Sequence, residues 1–138
     1  MKVAVSACLL GRNCKYNGGN NDSPAVRAFL AGKEVVPVCP EILVMPAPRP
    51  PVELQNGKAI DCRGQDVDAL YREGVRQTVA RIEAENVDLV ILKARSPTCG
   101  VHEIYDGTFT GKRIPGEGLL AGELRKRGYR VIDESEIG

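Results

Sequence analysis

The sequence predicts an α/β protein, a three-layer α/β/α sandwich around a mostly parallel, Rossmann-like sheet. Three observations lead there. Short apolar runs rich in β-branched residues recur at 2–6, 34–39 and 87–94, as buried parallel strands do. Segments of helical character stand between and after them, at 24–31, 66–85 and 119–127. No repeat and no linker-like stretch breaks the alternation, so residues 1–138 are expected to form one domain.

Taken in order, KVAVS is a first buried strand that opens into CLLGRNCKYNGGNN, a turn-rich stretch with Gly11, Asn13, Asn17, Gly18, Gly19 and Asn20. A ligand loop after the first strand has this composition. Ser23 and Pro24 form a helix start, cap and first turn, followed by Val26, Phe29 and Leu30 and a stop near Gly32. EVVPVC is a second strand whose Pro37 lacks a ladder donor, which places it at an edge or ends it early. Residues 40–61 hold five of the nine prolines. They predict a rigid excursion beside the site, with one helical turn at Pro40 to Leu43 and a small hairpin around Asn56-Gly57.

From Asp66 to Glu85 the residues Val67, Leu70, Tyr71, Gly74, Val75, Thr78, Val79 and Ile82 recur at three and four, with charge on the other face. This is the longest predicted helix. VDLVILKA is a central strand by its nearly unbroken apolar run. Residues 101–116 read as loop with a short hairpin or helical turn. Leu119 to Arg127 is a last short helix closed by Gly128, and Tyr129 to Ile132 a last strand.

With 43% apolar and 27% charged residues, the chain is neither disordered nor fibrous. Aromatics are 4%, so Val, Ile, Leu and Ala must build the core. Nineteen basic residues against eighteen acidic leave a net charge of +1, without the basic excess of a nucleic-acid surface. Small-molecule chemistry is the better expectation. No window approaches the ~20 apolar residues of a membrane span. The N-terminal apolar run is broken at Gly11 and Arg12, so the expected location is the cytoplasm.

Cysteines stand at 8, 14, 39, 62 and 99. The odd count and wide spacing argue against a disulfide framework, and no CxxC pair marks a zinc knuckle or ferredoxin run. Cys8, Cys39 and Cys99 each fall at or just beyond the predicted C-terminal end of a strand. In an open parallel sheet those ends share one edge, where ligands bind, so the three are expected to converge. Soft thiolates select zinc, copper(I) or iron–sulfur clusters. Cys14 as a fourth ligand would close the site, whereas three ligands leave a coordination position for substrate. Both arrangements fit the residues. Cys62 lies outside the strand-end pattern and is read as a thiol without a role.

Glu41, two residues after Cys39, and Ser96, three before Cys99, are candidate proton-handling groups at the same edge. Each also has a plain structural reading, Glu41 in the first turn of a helix and Ser96 as a turn cap.

These residues carry a resemblance. VSACLLGRNCKYNG, VVPVCPE, PRPPVE, ILKARSPTCG, YDGTFTG and the closing GLLAGELRKRGYRVIDESE resemble, nearly end to end, the family catalogued as domain of unknown function 523, whose characterised members are thiouracil desulfurases. The resemblance implies a [4Fe–4S] cluster held by Cys8, Cys39 and Cys99, its fourth iron free for the substrate's sulfur, with Cys14 as a further family cysteine. It implies Glu41 and Ser96 as the proton-handling pair, with Arg49 and Glu53 shaping the pocket. The implied reaction replaces the sulfur of a thiolated pyrimidine such as 2-thiouracil by oxygen from water, without electron transfer. Leu119 and Leu120 depart from the pair usual in the closing helix.

Two rivals remain at this point. One is a non-catalytic iron–sulfur or zinc-binding module, for which Cys14 is the discriminator. The other is an accessory protein for thiolated tRNA, using Arg12, Lys15, Lys93, Arg95, Lys112 and Arg113 if these gather at the same edge. A flavodoxin-like cofactor binder lacks the expected G-x-G-x-x-G run. No feature of the sequence sets an oligomeric state.

Overall fold

A computed structural model describes residues 1–137. Four parallel strands form the central sheet: β1 (Lys2–Ser6), β2 (Glu34–Val38), β5 (Leu89–Leu92) and β8 (Val131–Asp133), in the order β2-β1-β5-β8. Two antiparallel hairpins accompany it, β3 (Val52–Gln55) with β4 (Lys58–Asp61) and β6 (Glu103–Tyr105) with β7 (Arg113–Pro115). The helices are α1 (Pro24–Leu30), α2 (Asp68–Glu85) and α3 (Leu119–Lys126).

The chain is layered as its apolar pattern requires. On one face of the sheet Val26 and Leu30 of α1 pack with Val3, Val5, Leu89 and Ile91. On the other, Val75, Val79 and Ile82 of α2 and Leu120, Ala121 and Leu124 of α3 cover Ala4, Val36, Val38, Val90 and Leu92. All four residues of β5 are buried, as a strand covered on both faces must be. Pro37 is accommodated because β2 is an edge strand. A smaller core of Val52, Leu54, Ala59, Tyr71 and Ile104 seats the two hairpins against α2.

Ser23 caps α1, its Oγ accepting from the Val26 N–H at 3.3 Å, with Pro24 in the first turn. Ser23→Ala is expected to cost about 1 kcal/mol, readable as a small downward shift in thermal midpoint. The 40–45 segment is a turn rather than a helix, its bonds running from Val44 N and Met45 N to Glu41 O. The strand expected over 87–94 is shorter at both ends, and the last strand lies two residues later at its start than its apolar pattern suggests. Beyond it, the turn 134–136 is closed by a capping box on Asp133, and His102 Nε2 sits 2.5 Å from Glu136 Oε1.

The sheet order places the site. From β1 the chain goes outward through α1 to β2, and from β2 it crosses through α2 to β5 on the other side of β1. The connection leaving β1 runs toward β2 and that leaving β5 runs the opposite way to β8, which opens a crevice between β1 and β5 at the C-terminal edge of the sheet.

Candidate active site

That crevice is a cavity of about 750 Å³. Cys8, Cys14, Cys39 and Cys99 all line it, as do Glu41 and Ser96. Cys8 follows β1 in a 3-10 turn over Ala7–Leu10, and Cys39 follows β2 directly. Cys99 comes from farther away, seven residues past Leu92. A turn closed by Gly100 N to Ser96 O at 2.9 Å brings it back.

Cys14 joins these three. Cys39 Sγ lies 3.9 Å from the Cys14 carbonyl oxygen, and the buried Cys14 thiol is strongly disfavoured from ionising beside Cys39 and Cys8. The same proton lowers its neighbours: the Cys14 thiol holds Cys8 down to about 7 and draws Cys39 down as well. Cys99, fully enclosed, is pushed up to about 12 by burial, against hydrogen bonds from Ser6 and Thr98. Among the described residues, the group of three or more His, Cys, Asp or Glu whose ligand atoms lie within 4.8 Å of one another is His102, Asp133 and Glu136. No three of the thiols close that tightly. A tetrahedral zinc ion with Zn–S bonds of ~2.3 Å would need its sulfurs about 3.8 Å apart. As placed, no three of the thiols offer a ready tetrahedral zinc site.

Glu41 stands beside them with both oxygens engaged. Oε1 accepts from Arg49 Nη2 at 3.2 Å and from Tyr71 Oη at 3.4 Å. Oε2 accepts from Thr98 Oγ1 at 2.8 Å and from Ser96 Oγ at 3.3 Å. Ser96 caps the turn, its oxygen accepting from the backbone N–H of Thr98 at 3.2 Å and of Cys99 at 3.1 Å. Thr98 bridges the two chemistries, its Oγ1 also lying 3.6 Å from Cys99 Sγ. Burial and the Glu41 charge raise the Tyr71 phenol, leaving it a neutral donor.

Glycines allow the close approach that sets these positions. A Cβ on Gly74 of α2 would meet the Pro40 carbonyl oxygen at 2.0 Å, so the helix presses directly on the turn between Cys39 and Glu41. A Cβ on Gly118, at the start of α3, would meet the Thr98 carbonyl at 2.5 Å.

Sequence reasoning missed Tyr71 and Thr98. Tyr71 stands among the apolar positions of α2, and its signal is a phenolic hydroxyl too long to bond back into its own helix as Thr78 does on the same face. Thr98 was hidden between two residues already singled out. Cys62, read as peripheral, is exposed but lies at the rim of the cavity. Of the six basic positions considered together, Lys15, Lys93 and Arg95 line the cavity and Arg12 an adjoining smaller one. Lys93 is paired with Glu134 at 3.4 Å. Glu53 accepts from Gly107 N at 3.0 Å and Phe109 N at 3.1 Å, holding the 107–109 loop over the cavity. Arg95 and Phe109, both at its wall, have left-handed backbones with φ of 67° and 58°. No helix among the described residues is long and apolar enough to cross a membrane.

The 2-thiouracil desulfurase family model matches residues 3–136. The uncharacterized protein YbbK of Bacillus subtilis (strain 168) is 41% identical, with 98% of this chain and 97% of that protein covered. A solved structure of a [4Fe-4S]-dependent thiouracil desulfidase, TudS, superposes with a TM-score of 0.90 at 35% identity, over 98% of this chain and 91% of that one.

Proposed function

Because the chain belongs to the 2-thiouracil desulfurase family, we propose that it is an iron–sulfur-dependent desulfurase acting on a thiolated pyrimidine such as 2-thiouracil. Cys8, Cys39 and Cys99 hold a [4Fe–4S] cluster, residues 1–138 act as one unit, and Cys14 stays a thiol beside the ligands. The observation that carries the reading is the pairing of a ring of thiols with a fully oriented carboxylate in one cavity.

The donor set fits the group. Soft thiolates suit iron–sulfur chemistry, and four of them line one cavity. The lowered Cys8 and Cys39 favour the thiolate form that ligation requires. When bound, the cluster supplies a Lewis-acidic iron with affinity for the substrate's sulfur.

The rest falls to the chain. The net reaction is thiocarbonyl plus water to carbonyl plus hydrogen sulfide: the carbon–sulfur bond breaks, the oxygen comes from water, and no electrons are gained or lost. Glu41 takes the proton from the attacking water. Ser96 and Thr98 fix the carboxylate oxygen that faces it, and their hydroxyls relay the proton onward. Tyr71 and Arg49 hold the other oxygen, so the carboxylate does not turn away.

The test is anaerobic reconstitution, iron and sulfide quantification, and a 2-thiouracil turnover assay reading uracil. Loaded protein is expected to release uracil and sulfide in equal amounts without a reductant. Fully loaded protein that releases none overturns the reading. Cys14→Ala is expected to retain its iron and its turnover. If it loses its iron, Cys14 is itself a ligand and the site is the closed four-thiolate kind.

A further inference from the structure

The chain has two phenylalanines and four tyrosines. Phe29, Tyr71 and Tyr129 pack in the three apolar cores. Tyr16, Tyr105 and Phe109 line the cavity instead, and among the described residues none of these three joins a core cluster. A protein this poor in aromatics thus keeps as many at its site as in its cores, although large apolar rings contribute most to a fold when buried.

Phe109 is also held under strain. A left-handed backbone is ordinary for asparagine and uncommon for a bulky side chain. Asn56 and Asn86 adopt it at a tight turn and at the end of α2. Among the described residues the other non-glycine cases are Arg95 and Phe109, and both line the cavity.

The surroundings of Phe109 fix it in that conformation. Glu53 Oε1 accepts from its N–H at 3.1 Å and from that of Gly107 at 3.0 Å. Gln55 Nε2 donates to the Gly107 carbonyl at 2.8 Å, and Asp106 Oδ1 accepts from Thr108 N at 3.0 Å. The loop lies directly on β3, because a Cβ on Gly107 would meet the Leu54 carbonyl oxygen at 2.8 Å. The ordering of this loop is therefore met on folding, and a ligand does not have to supply it. A strained aromatic, over-determined by its neighbours and outside every core, serves a ligand better than it serves stability.

Phe109 is only half-buried, so a molecule in the cavity can reach it. Hydrogen-bonding groups read the edge of a planar heterocycle, whereas an aromatic side chain reads its face. We propose that Phe109 is the platform on which the substrate ring stacks, and that Glu53 is the positioning residue that holds the platform in place. This rests on the desulfurase reading and adds to it the residue that recognises the flat face of the ring.

Uracil and dihydrouracil carry the same N–H and C=O groups, but the saturated edge of the second is puckered and stacks poorly. The experiment measures binding of both to cluster-loaded protein by anaerobic calorimetry, in wild type, Phe109→Leu, Glu53→Ala and Glu53→Gln. Steady-state kinetics on 2-thiouracil at matched iron content accompany it. Wild type is expected to favour uracil by on the order of 10-fold, the worth of stacking one base on one aromatic ring. Phe109→Leu keeps apolar bulk without the flat face. Its preference is expected to fall below about 3-fold and its KM to rise about 10-fold, with a smaller change in kcat. Glu53→Ala releases the loop and is expected to do the same. Glu53→Gln, whose amide oxygen still accepts from both N–H groups, is expected to restore the preference. Phe109→Asn suits the left-handed backbone, so its thermal midpoint is not expected to fall, and it decides the matter if Phe109→Leu is unfolded.

A preference for uracil that survives in a folded, loaded Phe109 variant overturns the proposal, since another group then reads the face. A large drop in the thermal midpoint of Phe109→Asn also overturns it, because the ring then serves the fold. Loaded wild type that favours uracil through Phe109 but turns over no thio-base sinks the desulfurase reading and leaves the stacking platform standing. Turnover without any preference for the planar ring sinks the platform alone.

Discussion

Glu41→Gln lowers kcat for 2-thiouracil by about 10²–10⁴-fold with iron content unchanged, the range expected when a positioned general base is removed. The substitution preserves shape and removes the proton acceptor. Its amide oxygen can face Arg49 and Tyr71, which donate to Oε1. Its amino group then faces Ser96 and Thr98, whose hydroxyls can turn to accept. The site therefore survives the change, and lost turnover reports chemistry rather than collapse. Steady-state kinetics on protein matched for iron and sulfide gives the measurement. Full turnover at full loading would show that another group takes the proton. Thr98→Val is the useful companion, because it removes the 2.8 Å bond and leaves the carboxylate in place.

Gly74→Ala is expected to be the most damaging single methyl in the molecule. Alanine is better than glycine in a helix by about 1 kcal/mol, so propensity predicts stabilisation. The contact predicts the reverse, since the new Cβ would lie 2.0 Å from the Pro40 carbonyl oxygen and 3.0 Å from its carbon. Backbone cannot rotate aside as a side chain can. Overpacking of this kind costs about 1–3 kcal/mol or more, which outweighs the gain in propensity. A loss of about 2 kcal/mol lowers the thermal midpoint by roughly 6–8 °C in a chain of this size. Relief must come by pushing α2 away from the turn that carries Cys39 and Glu41, so iron loading and kcat are expected to fall with stability. A variant with wild-type melting and wild-type turnover would show that the helix does not position these residues.

The two glycine contacts explain why part of the site was legible and part was not. Gly74 was recognised as a member of the buried face of α2, because small and apolar residues share that periodicity. That it presses on Pro40, thirty-four residues earlier, follows from no period. Tyr71 has the same history: its place on the inner face was plain, whereas its bond to Glu41 is a matter of where another loop arrives. Ser96 is open to two readings, and the structure shows the turn cap together with a bond to the Glu41 carboxylate, since one oxygen can accept from backbone while its proton is given to a carboxylate.

By itself the sequence determined the layers and the edge. Apolar runs of strand length alternating with helical stripes leave few ways to bury both, and a parallel sheet sends every strand's C-terminal end to the same side. Cys8, Cys39 and Glu41 were thereby assigned to one edge before any coordinate was known, and Cys99 was assigned with them although it needed a further turn to arrive. Only the tertiary structure decided that Cys14 joins Cys8 and Cys39 in the cavity, that Glu41 has four donors, and that Arg49 keeps two nitrogens unpaired. The physical reason is range. Strand ends are set by local apolarity and sheet direction, whereas hydrogen bonds reach about 3 Å and join residues whose separation along the chain carries no trace of them.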